Sequence, residues 1–274
     1  MRKLFISIQI FFTLSCTENP FFNNNFNPGS NNTIHGNVQL SNHPDNSGVL
    51  IWMNKFNIFT FSDEAGNYSL KIPGKSEDVP GGGLSGITTI YYYVANYWLD
   101  STTVVLFDNS FKAGESDLDI DGRITNIILR KMAEINTNVN PSTIISSIEN
   151  AVTVSTKIET FSGNDVRIVT WLTRDDDLAS FYLNSLTDER SILFKSSTRL
   201  SFLNFQGTLQ LKGLLNIPAN TIPPGSYELF PFLQLIQNLP DGMLEVLGND
   251  VDGFSKNYLK VPFKQQKAII TVLE

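Results

Sequence analysis

Cysteine is almost absent: Cys16 stands alone among 274 residues. A single thiol excludes a disulfide framework within the chain and any Cys-rich zinc site. Histidine is nearly as scarce, with His35 and His43 only, which leaves little for His-dependent chemistry. Charged residues make up 17% of the chain, and 20 Lys and Arg face 27 Asp and Glu for a formal net charge of -7. Such a balance does not neutralise a phosphate backbone, so no nucleic-acid partner is expected. The sequence also lacks a Gly-x-Ser-x-Gly elbow, a His-Glu-x-x-His pair and a phosphate-cradling glycine loop. The expectation is therefore a protein that is not an enzyme. The alternative is a small exported hydrolase using a carboxylate pair, because such pairs assemble only in space.

What is present favours strands. Eighteen Gly and 12 Pro mark frequent turns, and 20 Phe with 8 Tyr suit pleated, half-buried surfaces. The length suffices for one large domain or two small ones, at roughly 100–200 residues each.

The first 16 residues combine a basic start, Arg2 and Lys3, with an apolar run from Leu4 to Leu14. That run is shorter than the roughly 20 residues a permanent membrane helix needs, and it has the pattern of a secretory signal. It stops at Ser15 followed directly by Cys16. This arrangement resembles the lipobox of bacterial lipoproteins, although Thr13 stands where leucine is usual and Leu14 comes one place late. The resemblance implies cleavage after residue 15 and acylation of Cys16, with several acyl chains holding the anchor at about 0.8 kcal/mol per buried methylene. An ordinary signal peptide with a stray cysteine is the weaker account. Residues 16–32, rich in Asn, Pro, Gly and Ser, read as a disordered tether. The expected location is the cell envelope, lipid-anchored to the outer membrane or cell surface.

From Thr33 onward, short strands alternate with turn chemistry, without the helices that a parallel sheet would need. Strands are expected near 33–40, 48–53, 57–62, 67–72, 87–98, 102–107 and 122–130. The clearest local signal is Asp63-Glu64-Ala65-Gly66, a turn, followed by Tyr68, Leu70 and Ile72 alternating with Asn67, Ser69 and Lys71. Taken with His35-Gly36-Asn37-Val38 and Gly48-Val49-Leu50-Ile51, this hairpin resembles the carboxypeptidase regulatory-like domain, related to Cna-B modules. The resemblance spans 34–133 and implies a transthyretin-like β-sandwich acting as a non-catalytic accessory module. Residues 134–142 read as a polar linker. Strands expected at 152–158, 166–172, 209–211, 227–230, 243–247 and 268–273 then suggest a second, Ig-like sandwich over 143–274. The predicted fold class is all-β, with two tandem sandwiches at 33–133 and 143–274.

Two constellations carry potential chemistry. Asp117, Asp119, Asp121 and Gly122 have the opening spacing of a calcium loop, but Ile128 stands where an EF-hand places its bidentate Glu. A solvated acidic turn is the preferred reading; a calcium site outside the EF-hand class is the alternative, and no other cofactor is expected. Tyr91, Tyr92, Tyr93, Tyr97 and Trp98 concentrate aromatics on one strand. Strand parity places Tyr92 and Trp98 on one face, where stacking on a glycan or a protein partner is a candidate role. Cross-strand packing is the commoner use of such rings.

Overall fold

The computed structural model describes residues 32–274 apart from 74–82, 84, 113, 116, 162, 164, 197 and 198. The expected signal peptide, Cys16 and the expected tether up to residue 31 lie outside the described residues. The architecture is all-β. The first half comprises β1 (Thr33–Leu40), β2 (Leu50–Met53), β3 (Ile58–Phe61), β4 (Asn67–Lys71), β5 (Gly86–Tyr93), β6 (Asp100–Phe107), β7 (Ser110–Phe111) and β8 (Arg123–Leu129). The second comprises β9 (Ala133–Asn140), β10 (Thr143–Ile145), β11 (Asn150–Thr160), β12 (Val166–Leu172), β13 (Ser180–Ser185) and β14 (Ser191–Lys195). It continues with β15 (Arg199–Phe205), β16 (Thr208–Ile217), β17 (Gly225–Pro231), β18 (Gln234–Leu235) and β19 (Ala268–Leu273).

The first unit packs the sheet β4-β1-β8 against the sheet β3-β2-β5-β6-β7. Ile34, Val38, Leu70 and Leu129 from one sheet meet Ile51, Met53, Ile90 and Val104 from the other. The hairpin anticipated at 63–66 forms: the Asp63 carboxylate accepts the Asn67 amide at 2.8 Å, and Gly66 takes φ +83. Behind it, Tyr68 and Tyr92 share a hydroxyl contact at 2.8 Å, and Tyr92 meets Thr102 at 3.0 Å. Burial pushes the Tyr92 phenol up to about 12 and that of Tyr68 further, so both stay protonated as donors. Gly36 exists for this pair: a Cβ there would sit 2.2 Å from the Tyr68 hydroxyl. Gly36→Ala should therefore cost about 1–3 kcal/mol as an overpacked core position. Thermal unfolding would read this; an unchanged melting temperature would reject the packing argument.

The second unit closes one core with three sheets: β16-β11-β9, β15-β12-β18 and β10-β19-β17-β13-β14. Here the expected linker is corrected. Residues 134–140 belong to β9, which pairs antiparallel with β11 from Ala133↔Thr160 to Asn140↔Thr153. The stretch looked like linker because its inward side is only Ile135, Thr137 and the half-buried Val139. Thr137 is tolerated inside because its hydroxyl meets that of Thr156 at 3.2 Å. The strand expected at 243–247 is also corrected: Glu245–Leu247 is a 3-10 turn. Met243, Leu247 and Val251 are nevertheless buried in one apolar cluster. Gly242 at φ +82 and Gly248 at φ +131 bend the chain away from extended geometry.

Candidate functional site

The most elaborate construction in the molecule is the joint between the two sandwiches. After β5 the chain turns at 94–97 instead of continuing as a strand, and Asn96 is completely buried there. Its side-chain amide donates to the Ala133 carbonyl at 3.0 Å and to the Lys264 carbonyl at 2.8 Å, while its oxygen accepts the Lys264 amide at 3.1 Å. Its own carbonyl accepts from Met132 at 2.9 Å and Ala133 at 3.3 Å. Gln237 repeats the device: its oxygen accepts the Leu99 amide at 2.9 Å and its nitrogen donates to the Tyr97 carbonyl at 3.1 Å. Beneath these bonds, Leu50, Trp52, Tyr93 and Ala95 on the outer face of the first unit form a third core with Met243, Leu247 and Val251. Lys131 is buried beside the joint, over the rings of Tyr97 and Phe161 at 5.8 and 5.7 Å. Its ammonium donates to the Asn42 carbonyl at 3.2 Å and faces Glu134 at 3.5 Å. The sequence signal for Asn96 was slight: a lone amide inside an apolar run from Tyr91 to Leu99.

An ion pair closes the same joint at its edge. Lys264 lies 2.6 Å from Asp45 in the loop between β1 and β2. The hydrogen bond from Lys264, with that from the Ser47 amide, holds the Asp45 carboxyl well below the usual carboxylate range. A folded value depressed in this way contributes stability above the unfolded value near 3.9 and loses it as the pH falls through the folded value. Asp45→Asn should lower the melting temperature at neutral pH by about 1–3 °C, the scale of a half-exposed pair in a chain of this size. The gap from wild type should close as the pH drops below about 4. A gap independent of pH would remove the ion pair from the joint.

The aromatic site foreseen at Tyr92 and Trp98 does not assemble. The turn at 94–97 breaks the strand parity that would have put the two rings on one face. Tyr92 is fully buried in the first core, its hydroxyl held by Tyr68 and Thr102, so no glycan reaches it. Trp98 is half-buried against the second core instead. Tyr93 and the half-buried Tyr91 serve the joint.

Asp117, Asp119 and Asp121 also part ways. The Asp117 carboxylate accepts the Thr103 amide at 2.6 Å, tying the loop to β6. Asp119 accepts the amides of Asp121 at 2.9 Å and Arg123 at 2.7 Å, closing its own turn. Asp121 is exposed. Among the described residues no three acidic, His or Cys side chains gather as a metal-binding group.

Two surface features remain. A cleft of about 630 Å³ is bounded by Leu239, Met243, Leu244, Glu245, Asp250 and Asp252. Gln234 donates to the Asp252 carbonyl, and the Ser255 hydroxyl to the Asp250 carbonyl, fixing its wall. The outer face of β15-β12-β18 is the second feature. Register aligns Trp171 with Leu200 and Val169 with Phe202 and Gln234; the Ile236 amide bonds the Arg167 carbonyl at 2.8 Å. Phe202, Leu200 and Ile236 are 58%, 43% and 40% exposed. Arg167 stacks over Phe202 at 4.8 Å and Lys195 over Trp171 at 3.3 Å.

Fold and joint together define an all-β protein of two sandwiches fixed to one another. No family model and no curated protein matches the chain. Among solved structures it is similar to Pseudomonas fluorescens alkylpurine DNA glycosylase AlkC bound to DNA containing an abasic site analog. That likeness has a TM-score of 0.29 and 10% identity, over 52% of this chain and 31% of the other. It is also similar to the Bacillus anthracis TIE protein, with a TM-score of 0.24 and 11% identity, over 77% of this chain and 48% of the other. The chain thus spans less than half the length of either, and likenesses at these scores assign no family and no activity.

Proposed function

We propose that this chain is a lipid-anchored, non-enzymatic protein of the cell envelope that presents two β-sandwiches to a protein or glycan partner. In this reading Cys16 carries the acyl anchor and residues 16–32 form the tether. A carboxypeptidase regulatory-like, transthyretin-like sandwich and an Ig-like sandwich follow. The observation that supports it is the joint: an amide lock at Asn96 and Gln237 over a shared apolar core. A presenting scaffold benefits from holding two modules in fixed orientation, since ordering them beforehand lowers the entropic cost of binding. The test is fractionation after labelling with a fatty acid. Wild-type protein should carry the label and partition into detergent, and Cys16→Ala should lose both properties. Equal partitioning of the two proteins would sink the lipoprotein reading.

A further inference from the structure

We infer that the outer face of the β15-β12-β18 sheet is a membrane-docking surface that seats the second sandwich on an anionic phospholipid bilayer. The inference deepens the envelope reading and rests on it only for bringing the face near a membrane.

The second sandwich supplies its own comparison. On β16-β11-β9 the outward row of β9 and β11 is Asn136, Asn138, Asn140, Thr153, Ser155 and Lys157, and β16 adds Gln210, Lys212 and one large apolar residue, Leu214. Amides, hydroxyls and lysines are what a sheet face turned to water carries. On β15-β12-β18 the outward positions carry Phe202, Leu200 and Ile236 around the buried Val169, with Trp171 half-buried against the neighbouring aromatic cluster. Leaving three large apolar side chains this exposed on one small sheet is unfavourable in water unless something covers them.

Charge selects the occupant. The strand residues of this face include Arg167 and no acidic side chain, and Lys195 reaches in from β14, in a chain of formal net charge -7. Both cations lie on ring faces, so rings and charges occupy one layer. An anionic bilayer interface matches that layer: lipid phosphates meet the cations, while the Phe202 ring and the aliphatic groups of Leu200 and Ile236 settle at the headgroup–acyl boundary. A second copy placed face to face would bring two positive layers together, with no acidic strand residue on either side to offset them. A small solute would need a concavity, and this face is an open sheet.

The experiment uses the chain from Thr17 onward, which keeps every described residue and removes the apolar leader. Co-sedimentation is measured with sucrose-loaded vesicles of phosphatidylglycerol and phosphatidylcholine in equal parts, and with phosphatidylcholine alone. Binding is expected on the anionic vesicles and should weaken with added salt. Phe202→Ser should reduce it about tenfold, the factor carried by losing most of one ring's apolar burial. Arg167→Gln should reduce it less, and Asn138→Ser on the amide face should leave it unchanged. Leu200→Ser serves as a second probe if Phe202→Ser melts lower than wild type. No sedimentation with anionic vesicles, equal binding to both vesicles, or binding indifferent to Phe202 and Leu200 would overturn the inference. So would a concentration-dependent dimer that Phe202→Ser dissolves. An unlabelled Cys16 with intact vesicle binding removes the anchor alone; a labelled Cys16 without vesicle binding removes the docking face alone.

Discussion

Changing Asn96 to Asp should destabilise the protein by about 2–4 kcal/mol, because the substitution keeps the shape and removes the two donors that hold the joint. The Asn96 amide serves the carbonyls of Ala133 and Lys264 from a site with no exposure to water. A carboxylate there would face two carbonyl oxygens without a proton to offer either, and burying that charge adds to the cost. For a chain of this length the loss corresponds to a fall of roughly 4–16 °C in melting temperature. A second signature follows from the position. Asn96 joins the first unit to β9 and to the segment before β19, so its loss should split one cooperative transition into two. Protonation would return a donor to the side chain, so acid should narrow the difference from wild type. Differential scanning calorimetry checks all three; a single transition within about 1 °C of wild type would show that the joint carries no stability.

The strands that could be read directly were those with one wet and one dry face. β1 and β19 run over 33–40 and 268–273, the limits that alternation and turn residues predict. β13 escaped because alternation is absent from it. Phe181 and Leu183 face the core of the second unit while Tyr182 faces an aromatic cluster on the other side, so both faces are apolar. β9 escaped for the opposite reason, having polar residues on both faces. Met243-Leu244-Glu245-Val246-Leu247 reads as a strand, but so short an apolar run does not by itself choose between a strand and a helical turn, and the chain makes a 3-10 turn at Glu245–Leu247.

The joint was hidden for a different physical reason. Its partners, Asn96, Gln237 and Lys264, are far apart in sequence, and each is an ordinary polar residue until the fold supplies buried carbonyls around it. The same holds for the ring-bearing face. Leu200 and Phe202 look like core residues in the string, and only the register of β15 with β12 turns them outward. The aromatic run at 91–98 offered a surface role beside the commoner one of packing, and its rings go to two cores and the joint.

Tyr182 is the position where removal of a side chain should be felt most widely. Its ring stacks on Phe230 at 5.4 Å and on Tyr258 at 5.2 Å, with Phe254 tilted against it at 4.9 Å. Tyr182→Ala should cost about 3–5 kcal/mol, the range for deleting a buried aromatic and leaving its cavity. In melting temperature that is roughly 6–20 °C at this chain length. Tyr182→Phe keeps the stack and loses one hydrogen bond, to the Ser255 carbonyl at 3.0 Å, so about 1 kcal/mol is expected. The effect should travel, because Val261 and Phe263 pack against both this cluster and the core of the joint. Releasing Tyr258 from its stack therefore loosens the segment that also positions Lys264 for Asn96. Tyr182→Ala and Asn96→Asp act on one stretch of chain, so their destabilisations should add to less than their sum. Thermal unfolding of the two single variants and the double variant measures this. Strict additivity would separate the aromatic cluster from the joint, and an Ala variant no worse than the Phe variant would deny the stack its structural role.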